Sequence, residues 1–334
     1  TDPAIACLNA GIHVLLEKPM APTISECQSI VDAERTSGRI LAVCHSMRYH
    51  KVYAMVQRLL SEGIIGRISS IDLLEQVGFW HQAHSFVRGK WGTTSRSVPM
   101  ILAKSCHDLD YLSFLVGSPA LRLTSFGGLS YFTPANAPSG APARCNDGCP
   151  HEPTCAYSAL RQYVYTDKRA SWPANVCSPT DNSLEAHLAA ISNGPYGRCV
   201  WRCDNDAVDH QVVALEFPEG ITATFTMTGL TWETGRRLRV HGGTGVLELN
   251  HREVTVRSFA TGDIRHFELA EEPGGHGGGD RRLLLGWLTA VRSGDPSTVL
   301  TGARESLYTH AMAFAAEISR RERRLVELTE VITP

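Results

Sequence analysis

The spacing of apolar and polar residues changes character partway along the chain. Val14, Leu15 and Leu16 form one uniformly apolar run and "RILAVCH" a second, each with the length of a strand buried on both faces. Between them Thr23 or Ser25 can cap a helix that runs to about Ser37 and stops at Gly38. Residues 4–11 read as the end of an earlier helix closed by Gly11. After the second run, "YHKVYAMVQRLLSEGIIG" puts Val52, Met55, Val56, Leu59 and Leu60 on one helical face. Strand, helix, strand, helix is the rhythm of a parallel α/β sheet.

Beyond residue 66 the period shifts. "RISSIDLLEQVGF" predicts a long strand, residues 98–116 a helix, and "LRLTSFGGLSYF" another strand. "HQVVALEFPEGITATFTMTG", "RRLRVHGGTGVLELN" and "EVTVRSFATGDIRHFEL" alternate and are joined by Gly-bearing turns, which predicts consecutive hairpins in a mostly antiparallel sheet. Two helices follow, at about 280–293 and 301–320. The stretch from about Thr133 to Asn182 is rich in Pro, Ala, Asn and Cys and lacks periodicity, so it reads as an insertion or long loop.

Composition narrows the function classes. The chain has 334 residues, 43% of them hydrophobic, enough for two domains with cores. A formal net charge of -2 offers no electrostatic reason to bind nucleic acid or an anionic membrane. No apolar run approaches the ~20 residues needed to span a bilayer. A small-molecule ligand is the expected partner.

The first apolar run ends in "HVLLEKPMAPT", which delivers the ammonium of Lys18 to the carboxyl end of a strand, where open α/β sheets bind ligands. There it can polarise a hydroxyl or carbonyl. Pro19 stiffens the turn, and an X-Pro bond can be cis.

"AGIHVLLEKPMAPT" resembles the Glu-Lys-Pro motif of the Gfo/Idh/MocA oxidoreductases, the glucose–fructose oxidoreductase and inositol dehydrogenase family. The resemblance continues through "GRILAVCHSMRYHKVY", "IGRISSIDLLE", "ILAKSCHDLDYLSFLVG" and "GHGGGD". It implies NAD or NADP as cofactor, bound by a Rossmann domain, and a second α/β domain that forms the substrate wall and a homo-oligomer sheet. The expected fold is therefore α/β. A partial Rossmann domain occupies residues 1–47, and an α+β domain with a large, mostly antiparallel sheet occupies residues 48–334. The family's first strands and Gly-rich turn have no counterpart in the chain, which is expected to be an N-terminally truncated member with impaired cofactor binding. The resemblance implies that Lys18 contacts cofactor and substrate, with Glu17 and Pro19 shaping the turn and Arg48 beside the cofactor. It also implies a catalytic histidine, carried onto His107 of "AKSCHDLD", with Asp110 at the later aspartate and Lys104 nearby. The family's earlier aspartate is Ala103 here and its glycine is Ser105. An imidazole with an ordinary pKa of about 6.5 suits removal of a hydroxyl proton while hydride leaves the same carbon.

"GFWHQAHSFVRGKWG" gathers Trp80, His81, His84, Arg88 and Trp91, polar groups between aromatic planes that suit a sugar ring. His276 in "GGHGGGD" is a further substrate candidate, and Asp209 and His210 are weaker ones. "RCNDGCPHEPTCAYSA" holds Cys145, Cys149 and Cys155 around His151, and with Cys177 these could bind a structural zinc. The leading expectation is a cytoplasmic enzyme moving hydride between nicotinamide and a hydroxyl of a sugar or cyclitol. NAD-dependent glycoside hydrolysis on the same fold and a non-catalytic truncated member are the alternatives.

Overall fold

The computed structural model describes residues 1–270 and 272–332; residues 271, 333 and 334, which fall within the expected second domain, lie outside the described set. Strands β1 (Val14–Leu16) and β2 (Leu41–Val43) form a two-stranded parallel sheet in which Val14 pairs with Leu41 and Leu16 with Val43. The helix between them, Ile24–Ser37, begins where the Thr23 hydroxyl accepts the Glu26 N–H and ends at Gly38, whose φ of 62° suits a residue without a Cβ. This strand–helix–strand unit matches the reading of the sequence.

The second sheet has nine strands: β3 (Ile68–Gln76), β4 (Arg122–Gly128), β5 (His210–Glu216), β6 (Thr222–Thr228), β7 (Gly235–Gly242), β8 (Gly245–Asn250), β9 (Glu253–Ser258), β10 (Ile264–Glu268) and β11 (Val326–Glu327). Their order is β10-β9-β8-β7-β3-β6-β5-β4-β11. Within this sheet only β3 and β6 run parallel. The hairpins β5–β6, β7–β8, β8–β9 and β9–β10 are present, but the expected consecutive run is interrupted where β3 inserts between β6 and β7. Burial alternates along most strands of this sheet, though β10 at its edge is exposed almost throughout. In β6, Ala223, Phe225 and Met227 are buried while Thr222 and Thr224 face out. The inward side chains and the helices Cys106–Val116 and Ala303–Glu322 share one apolar core that extends from Leu8 to Ile332.

Helix Ala303–Glu322 ties the two sheets together. It packs against β4 and against helix Ile24–Ser37, and just before it the Thr301 carbonyl accepts the N–H of Val43 at 2.8 Å. The helix expected over 98–116 is two pieces, Met100–Ala103 and Cys106–Val116. At the break, Lys104 and Ser105 both turn their side chains onto the buried carboxylate of Glu75. No described helix is long and apolar enough to cross a membrane. The insertion at 133–182 contains only short helical turns, as its composition predicts.

Candidate active site

In the parallel register Leu16 stands beside Val43, so Lys18 and His45 each emerge two residues beyond a paired strand end. The Lys18–Pro19 peptide is cis, and the Lys18 ammonium donates to the carbonyl of Ala103 at 2.8 Å. Ala103 closes the short helix before the break, one turn ahead of His107. That bond joins the carboxyl edge of the parallel sheet to the short helix just before the one that carries His107. Lys18 remains partly exposed, while Glu17 points to solvent.

His107 is buried at 7% exposure, and its Nδ1 has no partner among the described residues. Burial, then the positive charge of Lys18, pushes its pKa well below the ordinary histidine value. The imidazole is therefore neutral and free to accept a proton. Its ring lies 5.5 Å from that of His45 and 6.3 Å from that of His276, centroid to centroid. His276 is exposed, sits at φ 46° in the Gly-rich turn, and is held by Asp280 at 2.8 Å. Of the glycine-rich stretch, then, the residue expected near substrate does stand beside His107. Two thiols border this region, Cys44 and Cys106, and burial pushes them up to about 12 and about 11, so both stay protonated and unreactive at neutral pH.

Below His107 lies a buried ionic cluster. Glu75 on β3 accepts Lys104 and Arg236, each at 3.0 Å, and the Ser105 hydroxyl at 2.9 Å. Arg236 also grips Asp108 at 2.6 Å. Burial pushes Asp108 up to about 7, whereas Lys104 and Arg236 overcome the burial penalty at Glu75 and hold it well below the carboxylate range. Lys104, half-buried and braced by Glu75, adds its field to that of Lys18 at His107 and at His81. Glu75 was not anticipated as a site residue, although the strand pattern carried a signal. Period-two alternation puts it on the same inward face as Ile71 and Leu73.

The expected substrate wall divides. His81 is half-buried, its pKa is lowered to about 3 by burial and by Lys104, and it faces the lysines. Its ring meets Trp172 at 4.9 Å, and Trp172 meets Trp80 at 5.3 Å. Trp172 belongs to the insertion, so the irregular segment delivers an aromatic plane to the wall. The other expected wall residues are engaged within the protein. His84 is buried, stacked on Tyr196 and bonded to Tyr163. Arg88 is buried and donates to the carbonyls of Arg198 at 2.7 Å and Tyr157 at 2.6 Å, so it anchors the insertion rather than an anionic substrate. Trp91 packs against the main core beneath Lys90.

Two more expectations change. Arg48 and Asp110 form a buried two-pronged ion pair at 2.8 and 2.7 Å. Arg48 also donates to the Leu300 carbonyl, and Asp110 also accepts the Thr309 hydroxyl. Both side chains are thus taken up by each other and by the protein around them, a structural pairing that the expected cofactor and substrate roles did not anticipate. Likewise Asp209 accepts the backbone N–H groups of Ser130 and Tyr131 and pins a loop, with His210 beside it. The zinc expectation is not supported. Among the described residues no group of three or more His, Cys, Asp or Glu side chains could hold a metal ion, and all ten cysteines are free. Cys145 and Cys177 pack with Tyr163 and Ile191, whereas Cys155 packs in a separate apolar cluster with Phe132 and Trp201. Cys149 lines a small cavity beside Cys145 and Cys155.

Comparison with known proteins follows this geometry. A family model described as "Oxidoreductase family, NAD-binding Rossmann fold" matches residues 1–45, and "Oxidoreductase family, C-terminal alpha/beta domain" matches residues 57–328. YteT of Bacillus subtilis is 24% identical over 342 residues, covering 98% of this chain and 78% of YteT. Inositol 2-dehydrogenase 2 of Saccharopolyspora erythraea is 29% identical over 277 residues, 81% of this chain and 74% of that enzyme. A solved levoglucosan dehydrogenase, in complex with NADH and levoglucosan, has a TM-score of 0.67 at 17% identity and covers 98% of this chain and 76% of its own. An oxidoreductase from Agrobacterium radiobacter, solved with NAD+, L-tartaric acid and magnesium, has a TM-score of 0.67 at 13% identity, covering 99% and 77%. At such identities the structural matches establish a shared fold.

Proposed function

We propose, from the premise that this chain belongs to the Gfo/Idh/MocA oxidoreductase family, that it moves hydride between a nicotinamide dinucleotide and a hydroxyl-bearing carbon of a sugar or cyclitol. The observation that carries the reading is the Lys18–Ala103 bond, which holds an ammonium one turn ahead of a neutral histidine and close enough for its charge to act on that ring. The substrate class is supported by relatives named for inositol and levoglucosan and by the aromatic wall of Trp80, His81 and Trp172.

The residues present fit the dinucleotide's reactive end. A partly exposed ammonium stands at the carboxyl edge of a parallel sheet, next to an imidazole whose Nδ1 is unpartnered and to thiols kept inert. When bound, the nicotinamide ring supplies the hydride acceptor or donor. Lys18 gives one N–H to Ala103, which fixes the amine and leaves two donors for ribose and substrate oxygens. His107, neutral at pH 7, takes the hydroxyl proton as the carbon–oxygen bond gains double-bond character. The charges of Lys18 and Lys104 stabilise the oxygen while it is anionic. Neither step requires Arg48, Asp110, Arg88 or Trp91.

The proposal extends to a homo-oligomer assembled through the outer face of the nine-stranded sheet, and to a cytoplasmic location, which ten unpaired thiols would suit. The test is reduction of NAD+ or NADP+ by the complete protein with a panel of sugars and cyclitols. Turnover of at least one of them is expected. Failure of the whole panel with both cofactors would refute the reading.

A further inference from the structure

His45 is the most conspicuous polar group that the mechanism leaves unused. It is wholly buried, and neither ring nitrogen has a partner among the described residues. Leaving a buried donor or acceptor unmatched costs about 1–3 kcal/mol, so a doubly unmatched imidazole in a core calls for an explanation. Of the two such rings among the described residues, His45 and His187, His45 is the one in edge contact with His107. The neighbouring ring, His107, has the complementary defect: its buried Nδ1 also lacks a partner. The residue one turn earlier, Ala103, offers only its carbonyl, and that is taken by Lys18.

The surroundings of His45 leave one direction open. From the turn after β1 comes Lys18, from the turn Ser46–Tyr49 comes Arg48, and from helix Cys106–Val116 come His107 and Asp110. From helix Ala303–Glu322 comes His310, at 5.8 Å between ring centroids. His310 cannot serve as partner. Its Nδ1 donates to the Ser306 carbonyl at 2.7 Å and its Nε2 accepts the Met20 N–H at 2.7 Å, so both positions are occupied. Arg48 and Asp110 are engaged with each other. His107 remains, with Lys104, Arg236 and His276 beyond it. The His45 and His107 rings stand edge-on at 86° with centroids 5.5 Å apart and no N–H···N bond between them. From that spacing a turn of either ring about its side-chain torsions can bring two nitrogens to about 3 Å. Burial lowers the pKa of both rings, so both are neutral, and one can donate while the other accepts.

We infer that His45 is a positioning residue for the reaction: on turning toward His107 it accepts the Nδ1–H of that ring, fixes its tautomer, and so leaves the Nε2 lone pair to meet the substrate hydroxyl. The Asp110 carboxylate behind it favours any positive charge that spreads from His107 onto His45 as the substrate proton is taken. This inference rests on His107 being the base.

The test compares wild type with His45→Ala, His45→Asn, and His45→Ala combined with Ala103→Asp. The primary readout is the nitrogen-15 signals of the His107 ring by NMR, which need no substrate. His45→Ala should shift the Nδ1 signal and mix the tautomers, and should lower kcat at least tenfold with KM within twofold. His45→Asn, which keeps a donor and an acceptor, should recover kcat to within about threefold of wild type. The added aspartate should restore part of the loss by providing a new partner for Nδ1. Unchanged His107 signals in both single variants would overturn the inference, as would His45→Asn being no better than alanine while equally folded. If the signals move as expected but wild type oxidises no sugar or cyclitol, the functional reading fails and the His45–His107 bond stands.

Discussion

Glu75 shows how much of this region depends on one side chain. It is fully buried, and its carboxylate satisfies Lys104, Arg236 and Ser105 at once. A buried ion is tolerable only while its partners remain, and removing one partner of such a cluster typically costs about 3–5 kcal/mol. Glu75→Gln should therefore destabilise the protein by about that amount, read by denaturant unfolding, and should weaken substrate binding by releasing Lys104. A loss below about 1 kcal/mol would mean the cations find water instead. Lys18 makes the opposite case: it has one backbone partner and partial exposure, so Lys18→Ala should leave stability nearly unchanged. Its turnover should fall about a hundredfold, as when a transition-state charge contact is lost. A thermal melt beside the assay separates the two effects.

The elements were legible wherever a single period dominates. Thr23 and Gly38 bound helix Ile24–Ser37 as their capping chemistry predicts, and the hairpins β5–β6, β7–β8 and β8–β9 follow their alternation. Lys18 and His107 were expected from their motifs, and the structure brings the Lys18 ammonium to the residue one turn ahead of His107. What escaped was set by three-dimensional pairing. Arg48 and Asp110 are 62 positions apart and neutralise each other, which no local pattern shows. Arg88 sits among aromatic residues as a substrate-binding arginine might, yet its partners are carbonyls of the insertion and its flank. The break at Lys104 and Ser105 was hidden because both residues are compatible with a helix and are drawn out of it by Glu75, about thirty positions earlier in the chain. The insertion's dependence on Arg88 gives a prediction at this scale. Arg88→Met should leave the carbonyls of Arg198 and Tyr157 unpaired and loosen residues 133–182, so that limited proteolysis cuts there first. Cleavage no faster than in wild type would show the apolar clusters hold the segment alone.

At the scale of the molecule, the buried imidazoles tie stability to pH. His310 is fully buried with its pKa lowered to about 3 by burial, and His45 and His107 are lowered for the same first reason. Below the ordinary value of about 6.5 the unfolded chain binds protons that these folded rings do not. Their contribution to stability is complete above that pH and is lost as pH falls through the window beneath it. The melting temperature should accordingly drop between pH 7 and pH 5, and His310→Gln should reduce the drop. A melting temperature that stays flat over that range would show that these rings are protonated in the native state.

The same electrostatics bear on the central claim, that Lys18 and His107 act on one substrate hydroxyl. The direct measurement is the pH profile of kcat/KM for the oxidised sugar or cyclitol, in wild type and in Lys18→Ala. Wild type should stay flat down through pH 6.5 and lose activity only in more acidic solution, because His107 is neutral. Removing the ammonium should lower the plateau about a hundredfold and move the acid limb upward, since a cation that disfavours protonated His107 is gone. A variant with wild-type plateau and an unmoved limb would contradict the account.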